Sequence, residues 1–249
     1  MEQPSIYPFG IRIDEPVTML TDVLVAVICI IAAFKLRKYS DGSGTHKIII
    51  SYFAMMGVAT FIGGVIGHGF LYALGFYWKL PGWLLSMLAV NFLERVMIRY
   101  SKPILSSNGH RFFSWFNVVE LLTFMALSFA TLNFLYVEIH STYGFLVVVF
   151  GFCIFNYRRR NRTKAVKLMM IAVGMIFICS VIFVGKLSIS KWFNHADFAH
   201  VFMAIGAVFF YLASKEMMLE TQNGKDLKQG EALLKDDTSD VRSQRIQHV

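Results

Sequence analysis

Seven stretches of about twenty mostly apolar residues, joined by short polar connections, leave this chain few ways to fold. They cover residues 16–34, 48–74, 82–99, 112–133, 136–157, 165–185 and 195–219. An α-helix of that length spans the hydrocarbon core of a bilayer, at 1.5 Å per residue. Backbone polar groups in lipid must find partners within their own segment, so helices are the expected form. The chain carries only 16% charged residues, against roughly 25% in soluble domains. The predicted fold is all-α: a polytopic membrane protein, integral and multi-pass, with a seven-transmembrane-helix bundle. The third stretch is the weakest, because Asn91, Glu94 and Arg95 interrupt it.

The formal charge of +8 does not point to nucleic acid. Its Lys and Arg residues fall in alternate connections. Fourteen lie in the first, third and fifth connections, against Arg12, Lys79, Lys186 and Lys191 on the other side. By the positive-inside rule the N-terminus is out and the C-terminus in. The segments are then a short extracytoplasmic N-terminus (1–15), a seven-helix membrane domain (16–219) and a flexible, charge-mixed cytoplasmic tail (220–249). The N-terminal residues are too acidic for a secretory leader, which makes the first stretch a retained helix. Cys29, Cys153 and Cys179 sit inside apolar stretches without metal-ligand spacing and read as small buried hydrophobes.

Polar residues within lipid are costly unless partnered, so they carry the functional information. Glu15, Thr18 and Asp22 share one face of the first helix, with Asp22 about 10 Å below Glu15. Pro16 suits the first turn, and acids there complement the helix dipole. His68 lies late in the second helix, within Gly63-Gly64-Val65-Ile66-Gly67-His68-Gly69, and needs a partner from another helix. Asp197 and His200 are spaced i, i+3 at the start of the seventh helix. These five residues are expected in the outer third of the membrane. Imidazole and carboxylate are the ligands of zinc sites that keep a position open for water. His68, Asp197 and His200 are the expected metal ligands. Asp22 and Glu15 are candidate catalytic groups, and the acidic start of the first helix is a candidate second cation site. Glu138 and His140 fit either this layer or an ordinary wet helix start. Deeper, Glu94 and Glu120 are expected to pair with Arg95 or Arg99.

The N-out seven-helix pattern, the acidic start of the first helix, the late His68 and the early His200 together resemble the alkaline ceramidase and progestin/adipoQ receptor superfamily. That resemblance implies a zinc ion held by one His of the second helix and two of the seventh. The pattern departs here at Gly64, where a Ser is expected, and at Ala196, where the first seventh-helix His would stand. The functional expectation is a zinc-dependent hydrolase of a lipid amide or ester, partnered by the bilayer and a lipid substrate, with no nucleic acid. The alternatives are a non-catalytic receptor-like or scaffold protein and a proton-coupled carrier. A retinal protein is set aside, because Lys215 lies near the inner end of the last helix.

Overall fold

The computed structural model describes residues 3–159 and 162–246, with side chains as far as residue 223. Seven long helices are present among these residues: α1 (Pro16–Arg37), α2 (Gly44–Gly69), α3 (Leu80–Tyr100), α4 (Ser107–Thr131), α5 (Leu135–Arg158), α6 (Lys164–Val184) and α7 (His195–Ile246). No strand is found among the described residues; the only β contact is a bridge between Ile6 and Ile13. Six of the helices are long and apolar enough to cross a membrane. The second apolar stretch ends earlier than the sequence suggests. Phe70 leaves the helix, a single turn comes next over Leu71–Leu74, and Phe76–Lys79 leads into α3. The last helix runs past the apolar stretch to Ile246. The expected tail therefore continues α7 for most of its length, and its final residues 247–249 lie outside the described residues.

The exception among the long helices is α3. It packs against α2, α4 and α5, so protein surrounds most of its surface. Met87, Leu93 and Met97 are wholly buried, and Asn91 and Glu94 nearly so. A helix enclosed in this way does not need an apolar exterior, which explains why composition alone passes it over.

The bundle is apolar outside, as a lipid solvent demands, and its largely apolar core encloses the polar side chains. On α1 the stripe Leu20, Leu24, Val27, Ile31 and Phe34 is exposed, while Thr18 and Asp22 on the opposite face are buried. Asn117, Glu120 and Ser128 of α4 are likewise buried beneath exposed Phe112, Trp115 and Leu122. Exposed rings over buried carboxylates are the reverse of a soluble protein's arrangement. These features make the chain a multi-pass membrane protein in character.

Two helices carry π-helical segments, Gly63–Gly69 within α2 and Gly144–Val149 within α5. Such segments insert an extra residue per turn and re-aim the side chains beside them. The first contains His68. The second starts four residues after His140.

Candidate functional site

The site lies at the end of the bundle where α1, α3, α5 and α7 begin, the end expected from the sequence to face outward. The N-terminal segment closes this end. Gln3 is nearly buried; its side-chain oxygen accepts from the Val17 and Thr18 amides, and its amide donates to Asp197 Oδ2 at 2.5 Å. Gln3 therefore supplies acceptors to the open start of α1 and ties it to α7. The Asp14 amide donates to the Gly69 carbonyl at 3.0 Å, which joins the segment to α2. Between these anchors Glu15 adopts a left-handed conformation, φ 42°. That costs a non-glycine residue about 1–2 kcal/mol. It brings the carboxylate onto His68.

Four of the five outer residues meet. His68 Nδ1 hydrogen-bonds Glu15 Oε2. His68 Nε2 stands 3.8 Å from Asp22 Oδ2, and His200 Nε2 stands 3.4 Å from Asp22 Oδ1. The two rings are edge to face with centroids 6.5 Å apart. His200 Nδ1 is 2.9 Å from Thr21 Oγ1, whose own hydroxyl donates to the Thr18 carbonyl at 3.0 Å. The Thr21 oxygen therefore accepts, and His200 carries its proton on Nδ1. Glu15 accepts likewise, so His68 also carries its proton on Nδ1. Both Nε2 atoms then face the Asp22 carboxylate, at separations longer than a direct hydrogen bond.

Asp22 reaches this position because α2 presents glycine to it. A Cβ on Gly64 would fall 2.6 Å from the Asp22 Cβ. The position where the resembled family would have a Ser is thus filled by the body of Asp22.

Asp197 does not join the group. Asn194 caps α7, its Oδ1 accepting from the Ala196 amide at 2.7 Å, and Asp197 Oδ2 accepts from the Asn194 amide at 2.6 Å. This is a reciprocal capping box. Glu15, a candidate catalytic group from sequence, instead orients His68. Its carboxyl is held below the ordinary carboxylate range, chiefly by the His68 hydrogen bond.

A cavity of about 750 Å³ opens onto Asp22, His68 and His200. Its remaining wall is mostly apolar, with Phe76, Trp83, Phe134 and Phe183, and adds two ionisable groups, Lys79 and Glu138. Burial lowers the Lys79 ammonium's pKa, with Glu15 opposing the shift. Pockets of this size and lining hold small amphiphilic molecules. In the sequence Lys79 stands out only as a charge on the outer side.

A second cluster sits deeper. His140 Nδ1 is 2.6 Å from Glu120 Oε1, and His140 Nε2 donates to the Met87 carbonyl at 3.0 Å. Glu94 Oε2 accepts from Asn117 Nδ2 at 2.9 Å. The expected acid–arginine pair is not what forms. Arg95 donates to Asn117 Oδ1 and to the Ser114 carbonyl, and Glu120 pairs with His140. Glu94, Glu120 and His140 are buried and bring one ligand atom each within 4.8 Å of one another. The group has the composition and spacing to hold a metal ion.

With both clusters placed, residues 17–219 match a family described as a family of unknown function, DUF6962. The chain belongs to this family. No curated protein and no solved structure matches it. The DUF6962 span begins just inside α1 and ends where α7 leaves the apolar stretch. It takes in Asp22, His68, Lys79, Glu138, His200 and the whole deeper cluster, and leaves out Gln3 and Glu15.

Proposed function

We propose that this DUF6962 protein is a metal-dependent hydrolase of a lipid amide or ester, with its cation at Asp22, His68 and His200. The observation that carries this reading is the convergence of two imidazole Nε2 atoms on one carboxylate. Hydrogen bonds fall near 2.7–3.2 Å. Two ligands of a tetrahedral zinc ion stand about 3.3 Å apart, from bonds of about 2.0–2.1 Å. The Asp22 separations of 3.4 and 3.8 Å, one from each carboxylate oxygen, are longer than direct hydrogen bonds and leave room for a cation among these groups. Each imidazole is also oriented through its other nitrogen, by Glu15 and by Thr21, as metal-bound histidines usually are. A divalent ion there supplies Lewis acidity toward a carbonyl and acidifies water.

The protein's own groups divide the remaining tasks. Phe76, Trp83, Phe134 and Phe183 shed water from the cavity and receive the apolar part of a lipid. Lys79 offers a donor to its polar head. Glu138 is the carboxylate on the cavity wall that takes a proton, a role for which the sequence suggests Asp22 or Glu15. The reading includes seven crossings with α3 among them, N-terminus out and C-terminus in, so the cavity faces the outer leaflet. It also includes kinship with the alkaline ceramidase and progestin/adipoQ receptor superfamily, with Asp22 supplying the ligand that Ala196 does not.

The test is turnover of a panel of fluorogenic acyl amides and esters by detergent-purified protein. The expected result is hydrolysis that chelator abolishes and zinc restores, reduced at least about 100-fold in Asp22→Asn. Equal turnover in Asp22→Asn and wild type would remove the proposal. One observation favours a second reading. Glu15, His68, Asp22, His200 and Thr21 lie in one row, with gaps of 3.8 and 3.4 Å on either side of Asp22, which with bridging water is also the form of a proton relay. In that case chelator has no effect, and proton uptake into vesicles depends on Asp22.

A further inference from the structure

We infer that Glu94, Glu120 and His140 form a second divalent-cation site, enclosed by α3, α4 and α5 and independent of the outer one.

The carboxylates supply the first argument. Glu94 is 1% and Glu120 7% exposed, and Glu94 Oε1 and Glu120 Oε2 are both buried without a hydrogen-bond partner. Two acceptor oxygens left bare in one small volume call for a cation. The nearest fixed cation does not provide it, because Arg95 directs its donors to Asn117 and Ser114. Asn117 holds the other oxygen of Glu94, at 2.9 Å, which fixes the carboxylate while leaving Oε1 available.

The histidine supplies the second. Its Nε2 meets a backbone carbonyl, which only accepts, so the proton is on Nε2 and Nδ1 is the ligand atom. Nδ1 points at Glu120. The backbone of α5 then makes room for the third ligand. Gly144 lies four residues after His140, on the same helical face. A Cβ there would collide with Glu94 Oε1 and Val90 Cγ1. The bare oxygen of Glu94 is thus beside the imidazole because residue 144 has no side chain. The π-helical segment begins at this glycine.

Charge and chemistry identify the class of ion. Two ionised carboxylates and a neutral imidazole are balanced by a divalent cation. One nitrogen and two carboxylate oxygens suit zinc, iron(II) or manganese(II) rather than a soft thiophilic metal. The His140–Glu120 contact of 2.6 Å is bridged by a proton when no ion is bound. Loading widens it toward the roughly 3 Å between ligands of one ion. A separate cavity of about 320 Å³ has Glu94, Asn117 and Tyr143 in its wall and provides a route in.

The experiment counts zinc on the full chain in detergent. Protein is stripped with chelator, reloaded with zinc(II), desalted and measured by elemental analysis. Glu120→Gln, His140→Ala, Asp22→Asn and a Glu120→Gln/Asp22→Asn double variant are compared with wild type. Monodisperse elution and unchanged helicity serve as the fold check, and the near-isosteric Glu120→Gln covers failure of His140→Ala to fold. The inference expects one zinc per chain fewer in Glu120→Gln and in His140→Ala, whatever happens in Asp22→Asn. Two zinc ions in wild type, one in each single variant and none in the double support both sites. One zinc in wild type that Glu120→Gln loses and Asp22→Asn keeps supports this site and removes the outer one. The full wild-type zinc content in both Glu120→Gln and His140→Ala, or none in wild type, overturns the inference.

Discussion

Asp22 and Asp197 are both acids at the outer end of the bundle, one turn or two inside their helices, and the structure gives them opposite tasks. Asp22 faces two imidazole Nε2 atoms. Asp197 turns back on its own helix start, where its Oδ2 accepts from the Asn194 amide and from Gln3. The i, i+3 spacing of Asp197 and His200 suggests a shared ligand face. Spacing does not say which way a first-turn carboxylate leans, and here the unsatisfied amide of the cap draws it away. Asp22 is legible for the opposite reason: no capping role is open two turns into a helix, so a partner from elsewhere is needed. Asp197→Ala is expected to lower stability by about 0.5–2 kcal/mol, the usual range for a lost cap, and to leave metal content unchanged. Thermal unfolding in detergent beside elemental analysis checks both halves. Glu15→Gln should leave the metal bound but weaken it about 10–100-fold, as loss of an orienting partner does. Competition with a chromogenic chelator measures that shift.

At the level of the helices, six of the seven elements are readable from length and hydropathy, and their ends agree with the apolar stretches to within a few residues, except that α7 runs on to Ile246. What periodicity misses is where the register changes. The π-helical segments at Gly63–Gly69 and Gly144–Val149 rotate the side chains beyond them, and no run of residue types announces them. Each lies beside one of the two clusters. Glu138 and His140, two residues apart in the regular turns before the second segment, fall on nearly opposite helix faces and go to different places: Glu138 to the outer cavity and His140 to Glu120. The deeper cluster is also obscured in the sequence by Arg95, an obvious partner for Glu94 on charge alone. It is α3 that carries Arg95, and its crossing is proposed on its burial. Single cysteines at residues 79 and 105, in a background lacking native cysteines, are expected to label from opposite sides of a sealed vesicle. Labelling from the same side would show that α3 does not cross.

Across the whole molecule the polar groups divide the bundle in two. The outer cluster joins α1, α2 and α7 through Asp22, His68 and His200. The deeper cluster joins α3, α4 and α5 through Glu94, Glu120 and His140. The sixth helix brings no carboxylate or imidazole to either and packs chiefly on α7 through Ala172, Val173 and Ile176. A bundle with an apolar exterior and two such polar groups within it relies on them to help fix how its apolar helices meet. Composition makes a membrane bundle readable at once; its chemistry depends on side chains brought together from helices distant in sequence. The central claim is that Asp22, His68 and His200 hold one cation. Elemental analysis of purified protein tests it directly, with His68→Ala, His200→Ala and Asp22→Asn beside an Asp197→Ala control. The expected result is the loss of one metal ion per chain in each of the first three and full retention in the control. Wild-type content in all four variants would contradict it.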